Sequence, residues 1–119
     1  MSDLAIAGRI VLVVEDEFFV ADSLKLYLEQ EGAVVVGPVA SVDAALELIG
    51  RAERLDAGIV DVNLQGKRVF PVADALAARG VPFIFITGYG PESIPKRFAS
   101  VPNCPKPFRL DELVRLLFP

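Results

Sequence analysis

The chain contains no histidine and a single cysteine, Cys104, among its 119 residues. The lack of histidine excludes serine-histidine-aspartate and cysteine-histidine catalysis, histidine-rich zinc sites and any phosphohistidine on this chain itself. One cysteine excludes an intramolecular disulfide framework and a multi-cysteine metal site, and it fits a reducing compartment. We interpret Cys104 as a small buried apolar residue. Any bound metal would need oxygen ligands, which favours a hard cation.

An excess of positive charge and a long apolar run are also missing. The net charge is −4 and the sequence pI is about 4.8, and the basic residues are scattered rather than clustered, which argues against a nucleic-acid surface. The most apolar stretch is interrupted by Gly37 and Pro38, well short of a membrane span, and no signal-type segment begins the chain. We therefore expect a soluble, cytoplasmic protein without nucleic-acid or membrane partners.

With 53% hydrophobic residues, the chain has enough apolar material for one core. We predict a single domain over residues 1–119, with its core at about 9–118. Short apolar runs alternate with helical patterns, which is typical of repeated β-α units. The predicted fold is α/β, with a doubly wound parallel sheet of five strands in the order 2-1-3-4-5. The predicted strands lie at about 9–14, 33–36, 58–60, 83–86 and just before 106.

Helix boundaries are also readable. Gly32 stands where a left-handed helix terminator is expected, and Ser41 can cap the next helix. Residues 88–100 hold two glycines and two prolines where one more short helix would be expected. We predict that this segment is the weakest and most mobile part of the chain.

Polar residues follow four of the predicted strands at the point where each strand ends. Glu15 and Asp16 follow the first strand, Asp61 the third, Thr87 the fourth and Lys106 the fifth. The carboxyl ends of parallel strands in such a sheet meet at one crevice. We therefore expect three acids, a hydroxyl and an amine to share one site.

Three neighbouring carboxylates repel one another, and a divalent cation is the simplest remedy. Mg²⁺ prefers oxygen ligands and is usually held by one or two carboxylates plus a phosphate oxygen. Asp16 and Asp61 could bind it directly, with Glu15 acting through water. Asp61 is then a plausible nucleophile toward a phosphoryl group, whose oxygens the metal, Lys106 and Thr87 could bind.

Each residue alone has a plainer interpretation. The acids after the first strand could simply favour the next helix's amino terminus, and Asn63 could form a turn. Thr87 alone would be a turn hydroxyl, and Lys106 alone a solvated side chain. Nothing in the packing requires all of these groups together at strand ends, so their joint occurrence favours a functional site.

With these acids, Asn63, Thr87 and Lys106 at its strand ends, the chain resembles the receiver domain of two-component response regulators. The resemblance extends from about residue 9 to residue 118. The resemblance implies a flavodoxin-like fold, a phosphoacceptor role for Asp61, and catalytic roles for Thr87 and Lys106. It implies Mg²⁺, or Mn²⁺ in its place, on Glu15, Asp16, Asp61 and the backbone carbonyl of Asn63. It also implies a cis peptide bond between Lys106 and Pro107.

Residues 82–90 and 105–108 are similar to the FAT GUY branch of single-domain receivers, which is associated with unconventional sensor histidine kinases. One position departs from better-known receivers: Asn103 stands where they carry an aromatic switch residue, three positions before the lysine. The usual coupled rotation of threonine and aromatic cannot be carried over. Thr87 and Tyr89 are therefore our candidates for the switch.

We expect a stand-alone phosphoacceptor that takes a phosphoryl group from a histidine kinase or a phosphotransfer protein and then acts on a downstream protein. It would not be an enzyme in the ordinary sense, because it consumes no external substrate as its purpose. One alternative is a phosphorylation-independent interaction domain on the same fold. Another is a magnesium-dependent phosphatase, against which Asn63 speaks because an amide cannot act as a general acid. No phosphate-binding or dinucleotide glycine motif is present.

Overall fold

A computed structural model describes residues 6–119. The apolar runs form strands and the amphipathic segments form helices, because each buries its apolar side against the other. The strands are β1 (Ile10–Val14), β2 (Val34–Val39), β3 (Ala57–Asp61), β4 (Asn63–Leu64), β5 (Lys67–Arg68), β6 (Phe83–Thr87) and β7 (Asn103–Pro105). The α-helices are α1 (Phe18–Gln30), α2 (Val42–Arg51), α3 (Phe70–Ala78) and α4 (Leu110–Leu117).

Five of these strands form one parallel sheet in the order β2-β1-β3-β6-β7, and β4 and β5 form a separate antiparallel hairpin. Counted without the hairpin, the order is 2-1-3-4-5, which confirms the predicted doubly wound arrangement. The register aligns the carboxyl ends: Val14 lies beside Val60, and Asp61 beside Ile86. β2 runs three residues further than its predicted end at residue 36.

The sheet separates two hydrophobic clusters, as a two-residue repeat along each strand requires. On one face, Val11, Val13 and Ile59 pack with α1 and α4. On the other face, Leu12 and Val60 pack with α2 and α3. Both faces of the central strands are therefore covered, which explains why those strands are almost uniformly apolar.

The predicted helix boundaries at Gly32 and Ser41 are confirmed. Gly32 has a φ of +93°, and it follows the last residues of α1. The Ser41 hydroxyl oxygen accepts a hydrogen bond from the Ala44 N–H at 3.1 Å, which satisfies one of the free amides at the start of α2. Two X-Pro bonds are cis: Lys106-Pro107, as the resemblance implies, and Gly37-Pro38, which was not predicted.

Residues 88–102, which we call the β6–β7 connector, contain no α-helix. Two single 3-10 turns, Pro91–Ser93 and Lys96–Phe98, stand in place of the short helix that could have been expected there. The prolines explain this, because proline has no N–H to donate within a helix and restricts the residue before it. The predicted mobility of this segment stays a prediction. None of the helices in residues 6–119 is long and apolar enough to cross a membrane.

Candidate functional site

The three predicted acids come together at the carboxyl edge of the sheet. Glu15 and Asp16 follow β1, Asp61 is the last residue of β3, and one carboxylate oxygen from each lies within 4.8 Å of the others. Glu15 is only 2% exposed and Asp61 only 5%. Two adjacent parallel strands that end in register are what bring these like charges into contact.

Lys106 is the cation of this cluster. Its Nζ lies 2.9 Å from Asp61 Oδ2, 3.1 Å from Glu15 Oε2 and 3.0 Å from Glu17 Oε1. The backbone helps to place it, because the Lys106 N–H donates to the Thr87 carbonyl oxygen at 2.7 Å. One ammonium thus faces three carboxylates, and Asp16 adds a fourth acid to the same edge.

Burial and the surplus of negative charge shift the pKa values of Glu15 and Lys106. Burial raises the pKa of Glu15 to about 8, and a hydrogen bond and repulsion from Asp61 act in the same direction. For Lys106, burial acts to lower the pKa, but hydrogen bonds to Asp61 and Glu17 and the nearby Glu15 carboxylate outweigh it and raise the pKa above its usual value. Lys106 is therefore charged at neutral pH, and it does not supply enough positive charge to keep all the acids ionised.

The donor atoms fit a hard divalent cation. Glu15 Oε2 is buried and makes no hydrogen bond, although Lys106 Nζ attracts it from 3.1 Å without hydrogen-bond geometry. A buried carboxylate oxygen without a hydrogen bond is costly unless a cation compensates it. The three acids offer only oxygen ligands, which Mg²⁺ prefers. A metal role for the Asn63 carbonyl stays a prediction, whereas the Asn63 N–H donates to Asp61 Oδ1 at 3.2 Å.

Thr87 and Tyr89 come from β6 and the residues after it, and β6 flanks β3 on the side away from β1, which Glu15 and Asp16 follow. Thr87 is fully buried at the end of β6, and its hydroxyl oxygen accepts a hydrogen bond from the Tyr89 N–H at 2.9 Å. Tyr89 is 54% exposed, and the Arg68 guanidinium carbon lies 5.9 Å from the centroid of its ring. Their switch roles stay predictions.

Asn103 is a polar residue at the start of the edge strand β7. It begins β7 beside Phe85, is half-buried, and its side-chain oxygen makes no hydrogen bond. Cys104, the next residue, is buried, and burial raises the pKa of its thiol, as expected of an inert packing residue.

Two contacts of the site were not predicted from the sequence. Glu17 contacts Lys106, and the available signal was the third acid in the run that begins at Glu15. The Gln65 N–H donates to Asp16 Oδ2 at 2.8 Å. A backbone donor leaves no trace in residue type, so only the hairpin geometry could have revealed it.

Comparison with protein-family models gives one match, to the response regulator receiver domain, over residues 11–117. Comparison with curated proteins gives no match. Among solved structures, the chain is similar to SdrG from Sphingomonas melonis Fr1, with 40% identity and a TM-score of 0.79 over 94% of this chain and 97% of that one.

Two further solved structures support the same likeness. The BeF3-activated conformation of SdrG from Pseudomonas melonis Fr1 is 41% identical, with a TM-score of 0.75 over 93% of this chain and 94% of that one. The response regulator PhyR from Brucella abortus is 27% identical, with a TM-score of 0.76 over 98% of this chain and 49% of that one.

Proposed function

The chain belongs to the response regulator receiver family, and from that premise we propose that it accepts a phosphoryl group from a partner's phosphohistidine onto Asp61. The observation that carries this proposal is the contact of Asp61 with Lys106 beside Glu15 and Asp16. The cluster combines a nucleophilic carboxylate, a fixed ammonium and a set of oxygen ligands, which are the parts that phosphoryl transfer requires.

In the proposed transfer, an Asp61 carboxylate oxygen attacks the phosphorus atom of the phosphohistidine. The P–N bond breaks, and its electron pair leaves with the imidazole nitrogen of the donor. Lys106, already 2.9 Å from Asp61 Oδ2, would shift its hydrogen bond to an oxygen of the incoming phosphoryl group. Its raised pKa keeps it charged throughout, so it stabilises the charge on the phosphoryl oxygens rather than moving a proton.

Glu15, Asp16 and Asp61 would hold Mg²⁺, with the Asn63 carbonyl as a further ligand. The bound cation supplies positive charge that offsets the acids and the phosphoryl oxygens. Glu15 would lose its proton on metal binding, since its pKa of about 8 reflects burial and repulsion that a dication compensates. Mn²⁺, which has similar ligand preferences, would substitute.

Thr87 would report the phosphoryl group. Its hydroxyl oxygen accepts from the Tyr89 N–H, and its O–H would donate to a phosphoryl oxygen on Asp61 once the side chain turns toward it. This rotation of the Thr87 side chain would weaken the hydrogen bond from the Tyr89 N–H and favour a different conformation of the following connector. The change in the connector surface would be the message to a downstream protein. No external substrate is consumed, so we infer that the domain is not an enzyme in the ordinary sense.

The phosphodonor needs a docking surface next to Asp61. Phe18 and Phe19, at the start of α1, are 72% and 83% exposed, and a groove lined by Phe19, Val20 and Phe108 leads to Lys106. Large exposed aromatic side chains of this kind favour protein contact. We infer that the histidine kinase or phosphotransfer protein packs on this surface.

The deciding experiment is intact-protein mass after incubation with Mg²⁺ and acetyl phosphate or phosphoramidate. We expect one added phosphoryl group on the native chain and none on Asp61→Asn. Asp74→Asn, at an exposed acid of α3, is the matched control and should be modified like the native chain. If a panel of phosphorylated histidine kinases also leaves the native mass unchanged, the phosphorylation-independent interaction domain becomes the better hypothesis.

A further inference from the structure

The hairpin of β4 and β5 closes one side of the site. It pairs Asn63 with Arg68 and Leu64 with Lys67, so Gln65 and Gly66 form a two-residue turn. Their φ angles are +51° and +84°, as the tight turn of such a hairpin requires. Leu64 is buried and anchors the hairpin to the core, which leaves the turn free to reach across the acidic cluster.

The first strand and the turn of the hairpin donate hydrogen bonds to the acids. The Gln65 N–H donates to Asp16 Oδ2 at 2.8 Å, and the Asn63 N–H donates to Asp61 Oδ1 at 3.2 Å. Two backbone amides of one short element therefore orient two carboxylates proposed to bind the metal. A carboxylate that binds a cation must turn an oxygen toward it. This rotation alters the hydrogen bond that the backbone N–H donates to the carboxylate.

The second strand of the hairpin, β5, contacts Tyr89 through Arg68. The Arg68 guanidinium lies over the Tyr89 ring, 5.9 Å from its centroid, and the Tyr89 N–H bonds to the Thr87 hydroxyl. Lys67, the neighbouring residue of β5, points its side chain to the opposite side of the strand. It has the same charge as Arg68 but makes no ion pair or ring contact within residues 6–119.

We infer that Arg68 is a positioning residue: through the hairpin it couples cation binding at Asp16 to the placement of Tyr89 and the Thr87 hydroxyl. The inference rests on the proposed function in treating Asp16 as a metal ligand. The contacts run in order from Asp16 to Gln65, along the hairpin to Arg68, and from Tyr89 to Thr87. Coupling of this kind is reciprocal, so an element that fixes Tyr89 also changes the affinity for the cation.

The chain offers a clean optical reporter of Tyr89. It has no tryptophan and two tyrosines, so Tyr27→Phe leaves Tyr89 as the only source of tyrosine emission. In that background we would titrate Mg²⁺ alone and follow Tyr89 emission, the backbone amide resonances of Gln65 and Gly88, and the heat of binding. The variants are Arg68→Ala, the conservative Arg68→Lys and the matched control Lys67→Ala.

We expect Mg²⁺ to shift the Gln65 amide in every variant, because the bond to Asp16 does not involve a side chain of the hairpin. The changes at Gly88 and in Tyr89 emission should be lost in Arg68→Ala, partly retained in Arg68→Lys and unchanged in Lys67→Ala. Because the coupling is reciprocal, Arg68→Ala should also weaken Mg²⁺ binding, by at most about two- to fivefold, since an exposed cation-aromatic contact is weak.

The outcomes separate this inference from the proposed function. If Mg²⁺ binds and Arg68→Ala responds at Gly88 and Tyr89 as the parent does, the inference is overturned while the metal site stands. If Lys67→Ala behaves like Arg68→Ala, general charge and not the ring contact is responsible, and the inference is again overturned. If the parent binds no Mg²⁺ at all, both the metal site and the coupling are wrong.

Discussion

The acidic cluster lies at the carboxyl edge of the sheet, whereas the β6–β7 connector begins at that edge and crosses to the opposite one, and different forces hold the two regions in place. The cluster depends on charge: Lys106 contacts Glu15, Glu17 and Asp61 through its one ammonium group. The connector depends on apolar packing. Phe98 is 4% exposed, and its ring lies 5.6 Å from that of Phe85.

This difference separates two kinds of sensitivity. Interactions among buried charges change with pH and with a bound cation, because both alter the number of charges. Packing of aromatic rings does not respond to either. We therefore expect the acidic cluster to respond to pH and to bound cations. We expect aromatic packing to hold the connector in place regardless of pH, so that a conformational change at Thr87 acts against this packing.

The largest expected effect is on the connector. Phe98→Ala removes a buried ring that packs against Phe70, Phe83 and Phe85, and it should lower the free energy of unfolding by about 3 kcal/mol or more. Urea unfolding measures this loss. Phe19→Ala, at a phenylalanine that is 83% exposed, is the matched control and should change stability by at most about 0.5 kcal/mol. If Phe98→Ala also abolished Mg²⁺ binding in the folded protein, the two regions would not be separable.

The second effect is on the cluster. Lys106→Met keeps most of the side-chain volume but leaves Asp61 and Glu15 without their cation. Removing one partner of a buried ion pair costs about 3 to 5 kcal/mol, and here we expect about 2 kcal/mol at neutral pH. The Lys106 side chain is 17% exposed, and Glu15 can take up a proton, so part of the loss is relieved.

Lys25→Met is the control for this substitution. Lys25 pairs with Glu29 at 3.8 Å on the exposed surface of α1, where such pairs contribute little. Lys106→Met should also strongly reduce phosphoryl uptake from acetyl phosphate, whereas Lys25→Met should not. Equal urea midpoints for the two variants would mean that Lys106 does not stabilise the cluster.

The third effect is the pH dependence of stability in the metal-free protein. The pKa of Glu15 is about 8 in the folded chain against 4.5 ordinarily, so the folded state favours the protonated carboxyl. The contribution of the Glu15 carboxyl to the free energy of unfolding is therefore complete below pH 4.5 and is lost as the pH rises to about 8. One pKa unit corresponds to about 1.4 kcal/mol, so we expect a loss of at least about 1 kcal/mol over this window.

Glu15→Gln should remove this pH dependence, and Mg²⁺ should restore stability to the native chain near the upper end of the window. Glu53→Gln, at an exposed acid, should keep the native pH profile. Urea unfolding in the presence of a chelator, repeated at intervals of pH, measures the profile. A native chain whose stability is flat across the window would show that Glu15 is ionised throughout.

The comparison also explains what the sequence could predict. Strand ends, strand order and the groups that meet at the site follow from residue type and periodicity, so Glu15, Asp61 and Lys106 could be placed together before any geometry was known. The resemblance to receivers added the cis bond before Pro107, which residue type alone would have assigned as trans.

Contacts made by the backbone and by non-periodic segments could not be predicted in this way. The Gln65 N–H bond to Asp16 depends on a two-residue turn whose position cannot be read from residue type alone. The connector is anchored mainly by Phe98, with Ile94 and Val101 packed against the same core, in a segment whose prolines signal only the end of regular structure. The assignment to the FAT GUY branch stays a prediction.

The smallest expected effect concerns the ion pair that ties the connector to α3. Arg97 Nε and a terminal nitrogen each donate to Asp74 at 3.0 Å, and both side chains are more than half exposed. A double-mutant cycle of Arg97→Ala and Asp74→Ala should give a small favourable coupling in urea unfolding, which fades in about 1 M salt because screening then acts over about 3 Å. Arg97 also stacks on the Phe98 ring, 4.6 Å from its centroid, so the single substitution Arg97→Ala should cost more than Asp74→Ala. A coupling that survives high salt would show that charge as well as packing anchors the connector, and the distinction between the two regions would then be one of degree.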